Sequence, residues 1–140
     1  MAIGLSRRNV VIVVLLVAAG AILVPLLVRP FQARECKNRM RLICCAARVW
    51  ACQHRGCLPV EMQELSSELA SPDVLICPGD PERTAAATWG AFKPENCSYE
   101  MVTPSARDGD TKAVFVRCRI HRQHFGYADS FVFEGERPAE

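Results

Sequence analysis

The sequence predicts an α+β fold, a long N-terminal helix packed on a small antiparallel β-sheet, and three observations predict it. Residues Val10 to Val28 form an uninterrupted apolar run of 19 residues. From Gln32 to His54, apolar side chains recur at spacings of three and four, which lays them along one face of a helix. After Cys97, short strand-like segments follow one another with no helix between them, and such an order implies antiparallel pairing. The 140 residues accordingly divide into a basic flank (1–8), a membrane span (9–29), an amphipathic continuation of the helix (30–57), a small globular domain (58–135) and a tail (136–140).

The apolar run contains only Val, Ile, Leu, Ala, Gly and Pro. At about 1.5 Å per residue it is just long enough, as a helix, for a hydrocarbon core of roughly 30 Å. Arg7 and Arg8 on one side and Arg29 on the other place cationic heads at the lipid head groups while their stems lie in apolar surroundings. A cleaved signal peptide would have a shorter apolar stretch, about 7 to 15 residues, ending at a small-x-small site. Here Leu26, Leu27 and Val28 prolong the run, so an uncleaved single-pass anchor is expected. Pro25 is expected to kink its last turns and Pro30 to fall just beyond them. Ala18, Ala19, Gly20 and Ala21 form a smooth patch that a second helix can approach closely.

Charge narrows the function classes. Lys and Arg total 17 against 15 acids, but three arginines precede residue 31 and no acid does. The part after the span is thus near neutral, with one net negative charge, which argues against nucleic acid as a partner. Two signals disagree about orientation. Arg29, Arg34, Lys37, Arg39 and Arg41 outnumber Arg7 and Arg8, which by the positive-inside rule would put the larger part in the cytoplasm. Eight cysteines in 140 residues are a high load for a reducing compartment and ordinary for an oxidising one. The cysteines carry the greater weight, and the domain is expected outside the cytoplasm.

Cys36, Met40, Ile43, Cys44, Ala47 and Trp50 form the apolar stripe of the second helical half, which is expected to continue the span as one rod. His54, Arg55 and Gly56 provide its C-terminus and Pro59 blocks continuation. Met62, Leu65 and Leu69 predict a short second helix over 60–70, ended by Ser71 and Pro72. Val74, Leu75 and Ile76 read as a brief strand closed by Cys77, followed by the turn residues Pro78, Gly79, Asp80 and Pro81. Residues 84–92 fit either a short helix or a loop. Strands are expected at 97–102, 113–118 and 127–133, with a polar, turn-rich stretch at 104–110.

These residues resemble a family. Ser6-Arg7-Arg8 before a span that runs into Gln32-Ala33-Arg34-Glu35-Cys36-Lys37-Asn38, then Ala46-Ala47-Arg48-Val49-Trp50-Ala51, resembles the bacterial prepilin-like proteins related to type IV pilins and type II secretion pseudopilins. The likeness extends through Glu68-Leu69-Ala70-Ser71-Pro72, Val74 to Asp80, Asn96-Cys97-Ser98-Tyr99-Glu100, Arg117-Cys118-Arg119-Ile120-His121 and Tyr127-Ala128-Asp129. It implies a pilin-like fold, placement in the inner (cytoplasmic) membrane, and a non-catalytic role as a structural subunit. It also implies partners: membrane lipid, and other pilin-like or secretion-system subunits bound through the N-terminal helix. The chain departs from the pattern in two places. The family has Gly before its processing point and Glu five residues into the mature chain. One register here offers Asn9 and Val14, and the other, from Gly4, puts Asn9 where Glu belongs. The closing Ala-Asp-Gly turn of the family is Ala128-Asp129-Ser130, and since Ser tolerates a positive φ less well than Gly, a different turn is expected.

In the resembled family, cysteines at the positions of Cys77 and Cys118 are disulfide candidates. The alternative is two buried thiols. Cys36 and Cys44 read as small core residues, because eight residues of helix span about 12 Å, beyond disulfide reach. Cys52 and Cys57 lie across the helix end and are close enough in sequence to pair, and Cys97 has no evident partner. A competing metal reading exists. Cys118, His121 and His124 have the spacing C-x2-H-x2-H, and Cys77 would complete a tetrahedral zinc set. In the family reading His121 instead hydrogen-bonds the turn at the end of the sheet. His54, read from its own position, is expected to be solvated near its helix end.

No nucleophile elbow, HExxH, phosphate-binding glycine loop or haem-attachment motif occurs, so neither an enzyme nor a cofactor is expected. Asp108, Gly109 and Asp110 are too short for an EF-hand loop and read as a hairpin turn, and Arg117, Arg119 and Arg122 read as a solvated face. The expected function is that of a membrane-anchored, non-catalytic pseudopilin-like subunit of a type II secretion or pilus-like assembly. The alternative is a membrane-tethered Cys/His metal-binding or redox module.

Overall fold

The computed structural model describes residues 7–135. The basic flank before Arg7 and the tail from Glu136 lie outside the described residues. A 47-residue helix, α1 (Arg7–Gln53), is followed by four short 3₁₀ turns and four strands: β1 (Tyr99–Met101), β2 (Val114–Cys118), β3 (His124–Tyr127) and β4 (Val132–Glu134). The chain divides after Phe31 into two units.

The first unit is the apolar part of α1. It is long and apolar enough to cross a membrane. Its large apolar side chains are exposed throughout, from 42% at Val28 to 69% at Phe31, so nothing among the described residues covers them. The helix passes through both Pro25 and Pro30 rather than ending before the second. Each proline removes one backbone donor, which a long helix survives because the remaining i to i−4 bonds hold on either side.

In the second unit, the part of α1 from Gln32 buries Cys36, Met40, Ile43, Cys44 and Ala47 of the stripe expected from the spacing, with Ala51 buried in addition. Trp50 is half-buried and stacks on His54, whose Nδ1 donates to the Trp50 carbonyl at 2.7 Å. The helix stops as expected, because Arg55 and Gly56 take left-handed φ values of 57° and 73° and the Gly56 amide closes back on the Ala51 carbonyl.

The second helix contracts to a 3₁₀ segment, Met62–Ser67, which still buries Met62 and Leu65. Glu64 Oε2 accepts from the amides of Val60 and Glu61 and fixes its start. The strand expected at Val74–Ile76 is instead a 3₁₀ turn, Pro72–Leu75. Ser71-Pro72-Asp73 explains it: the Ser71 hydroxyl accepts from the Asp73 amide and Pro72 presets a helical φ, so the apolar residues enter a turn. The ambiguous 84–92 region holds one further 3₁₀ turn, Trp89–Ala91, anchored by Trp89 Nε1 on the Leu69 carbonyl at 3.1 Å.

The sheet is antiparallel in the order β1-β2-β3-β4, with Tyr99 opposite Cys118, Arg117 opposite Phe125 and Phe125 opposite Phe133. The last expected strand, 127–133, is broken by a turn. Ser130 adopts φ 69°, its amide donates to the Tyr127 carbonyl, and the chain returns as β4. Ser130 therefore occupies the left-handed conformation for which Gly is best suited. Gly126 sets the spacing between helix and sheet: a Cβ there would lie 2.7 Å from Cys44 Sγ and 2.8 Å from Val116 Cγ1. No side chain larger than hydrogen allows β3 so close to α1.

Candidate metal centre

Three separated segments bring cysteines and one histidine to a common point. Cys36 comes from the buried face of α1 and Cys77 from the turn after Leu75, while Cys118 ends β2 and His121 lies in the turn from there to β3. Their Sγ and imidazole nitrogen atoms all lie within 4.8 Å of one another, and the three cysteines are fully buried. His121 Nδ1 stands 3.3 Å from Cys77 Sγ and 3.9 Å from Cys118 Sγ. Metal–sulfur bonds of about 2.3 Å and metal–nitrogen bonds of about 2.0–2.1 Å at tetrahedral angles would put sulfur and nitrogen about 3.6 Å apart. The two observed separations bracket that value.

Local sequence places each donor. The turn Cys77-Pro78-Gly79-Asp80 closes with the Asp80 amide on the Cys77 carbonyl at 2.9 Å. The His121 amide donates to Cys118 Sγ at 3.2 Å. The Cys118 sulfur therefore faces a backbone N–H, a partner that a thiolate requires when buried. A Cβ at residue 79 would meet His121 Cε1 at 3.0 Å, so Gly79 makes room for the imidazole. Arg39 on α1 donates to the carbonyls of Asp73 at 2.8 Å and Ile76 at 2.7 Å, and Gln32 donates to that of Pro78 at 3.1 Å. These bonds tie the Cys77 turn to the helix that carries Cys36.

A further carboxylate stiffens the turn. Asp80 is buried, and its oxygens accept from the Ser98 hydroxyl at 2.8 Å, the Arg83 guanidinium at 3.0 Å and the amides of Glu82 and Arg83. Burial works to raise its pKa, but these donors together hold it below the ordinary aspartate value.

The thiols share protons unevenly. Cys118 is the preferred thiolate, held far below the usual thiol range by hydrogen bonds from Cys36 and Cys77 and then by the amide and ring of His121. Cys36 and Cys77 are pushed up, first by serving as donors to Cys118. A soft, electron-rich donor set results, suited to a thiophilic cation. His124 lies beside it: its Nδ1 is 3.4 Å from Cys36 Sγ, and its ring stacks on His121 with centroids 4.8 Å apart. Burial, then the proximity of His121 and Lys37, lowers its pKa and favours the neutral ring. Tyr99 Oη also reaches Cys36, 3.9 Å from its Sγ.

The sequence-predicted set Cys77, Cys118, His121 and His124 is thus three-quarters assembled. Cys36 takes the fourth position, and His124 supports Cys36 from behind. Cys77 and Cys118, the disulfide candidates, are adjacent and carried as free thiols, as are Cys52 and Cys57. Cys36 is legible in the sequence only as a buried helix-face residue, because nothing in its spacing from Cys77 announces a shared site. The acidic turn is engaged elsewhere: Asp108 pairs with Arg48, and Asp110 accepts from the amides of Lys112 and Ala113. Arg117 pairs with Glu100 on the exposed sheet face at 2.8 Å.

No protein-family model, characterised protein or solved structure matches the chain.

Proposed function

We propose that this protein is a membrane-anchored, non-catalytic subunit of pilin-like type, which assembles with other subunits of a secretion or pilus-like machine through α1. The observation that carries this reading is that one helix presents two uncovered apolar surfaces. Its first part is exposed along its whole length. Its second part, while packed on the sheet, leaves Leu42 at 53% and Val49 at 52% exposed, in line with the exposed Cys45 and Cys52. Leu42, Cys45, Val49 and Cys52 follow a 3-4-3 spacing, the seam pattern of a helix that meets another helix. The antiparallel sheet beneath supplies a rigid support, and no substrate cleft is required.

The chain is proposed to sit in the bacterial inner membrane with its domain outside the cytoplasm. Both statements are tested on cells with one preparation. A membrane-impermeant maleimide applied to spheroplasts is expected to label a cysteine introduced at the exposed Ala85, outside the seam, in a chain whose Cys45 and Cys52 are serine, and gentle detergent extraction is expected to release the chain within a larger assembly. Labelling only after lysis would overturn the orientation, and extraction purely as a monomer would overturn the assembly role.

A further inference from the structure

We infer that Cys36, Cys77, Cys118 and His121 bind one zinc ion, which joins the helix, the 3₁₀-turn region and the sheet of the small domain. This inference is independent of the assembly reading, since the site is closed inside one chain, but not of the orientation reading, because three cysteines held as zinc thiolates no longer argue for an oxidising compartment. Four donors from three separated segments converge within 4.8 Å, and a set of three sulfurs and one imidazole nitrogen is a known structural zinc ligand set. The donor chemistry selects the metal. Thiolates disfavour Mg²⁺, Ca²⁺ and Mn²⁺, which prefer oxygen, and a buried tetrahedral S₃N arrangement suits Zn²⁺.

The surroundings are those of a metal centre rather than of an ordinary core. An apolar core gains nothing from three thiols aimed at one imidazole, whereas the His121 amide aimed at Cys118 Sγ at 3.2 Å offsets thiolate charge. Gly79 clears the approach of His121, and His124 reaches Cys36 Sγ at 3.4 Å as an outer partner. On binding, each thiol that is protonated exchanges its proton for a sulfur–zinc bond, so that up to three protons leave as one Zn²⁺ enters. No electron is transferred. A metal also supplies what a domain of this size needs, a link between Cys36 and segments 41 and 85 residues away along the chain.

The test uses the full chain purified in detergent with thiol-blocking reagents excluded and without added chelator. Metal analysis is expected to give one zinc per chain. Replacement by Co²⁺ is expected to give the visible d–d bands and sulfur-to-metal charge-transfer absorption of a tetrahedral thiolate site. Cys118→Ser and Cys36→Ser should each weaken binding by more than the roughly 100-fold that a supporting residue commands. Cys97→Ser, which alters a buried thiol outside the set, should keep one zinc. Because a ligand variant can also lose metal by misfolding, the unmutated chain decides by itself: a metal-free protein with a Cys77–Cys118 disulfide would overturn the inference. So would one zinc retained in the Cys118→Ser chain.

Discussion

Cys36 Sγ and His124 Nδ1 lie 3.4 Å apart although 88 residues separate them in sequence. Through this pair the first residue of β3 supports a helix residue that also faces Cys77, Cys118 and His121. An outer partner of this kind orients a ligand and tunes its basicity without occupying the coordination sphere. His124→Ala is therefore expected to keep one zinc per chain at saturating metal but to lower affinity by about 10–100-fold. Competition against a chromophoric chelator measures it. Loss of stoichiometric binding would instead make His124 a ligand.

Gly126 tests the contact between helix and sheet. A methyl group there meets Cys44 Sγ and Val116 Cγ1 at under 3 Å, and neither has free space behind it, both residues being buried. Gly126→Ala should destabilise the domain by about 1–3 kcal/mol through overpacking. Adding Cys44→Ala removes one of the two clashing atoms and should restore part of the loss. Chemical denaturation of the four chains of this cycle reads the coupling directly.

Helix-side features are the most legible in the sequence. The stripe from Cys36 to Ala47 is readable because helical period and burial agree at each position, and the stop at Arg55 and Gly56 because Gly favours the left-handed cap found there and Pro59 blocks continuation. The strand read at Val74–Ile76 fails because Ser71-Pro72-Asp73 imposes a turn more strongly than three apolar residues impose a strand. Of the site, Cys118 and His121 can be named from local spacing, which also names His124 outside the set, and Cys77 only as a cysteine able to complete it. Cys36 cannot, since only the packing of α1 against the sheet brings its sulfur to the others, and single-sequence periodicity does not distinguish a core thiol from a ligand thiol.

Ser130 records a local cost. At φ 69° a residue with a Cβ lies in the left-handed region, which costs roughly 1–2 kcal/mol relative to right-handed backbone. Ser130→Gly removes that cost but also loosens the unfolded chain and gives up the 3.4 Å contact of Ser130 Oγ with Arg48. The net expectation is a gain of about 0.5–1 kcal/mol, visible as a raised Tm. An unchanged or lowered Tm would show that the Arg48 contact outweighs the backbone.

Asp80 should make the domain acid-sensitive. Its folded pKa is lowered, so its contribution is fully present above the unfolded aspartate value of about 3.9 and is lost as pH falls through the folded value. Asp80→Asn keeps the size but cannot accept from Arg83 and the Ser98 hydroxyl as a charged group. The two chains are expected to differ most in stability near pH 7 and to converge as pH drops below about 4. Denaturation midpoints across that range measure it, and a difference independent of pH would remove the charge from the explanation.

The exposed seam on α1 gives the sharpest consequence of assembly. If Leu42, Cys45, Val49 and Cys52 face a neighbouring helix, proximity should repeat with their 3-4-3 spacing and vanish on the opposite face. Single cysteines at 42, 45, 49 and 52, in a chain whose Cys45 and Cys52 are otherwise serine, should be joined between subunits by a short bis-maleimide in native membranes. A cysteine in place of Arg117, on the exposed face of the sheet turned away from α1, should not be. Val49→Glu would put an unpaired charge in the seam and forfeit about 1.5–3 kcal/mol of apolar burial, enough to cut linking at Cys45 and Cys52 about tenfold or more. Linking that is equal on all faces, or insensitive to Val49→Glu, would mean that the seam faces water and that the span alone holds the subunits together.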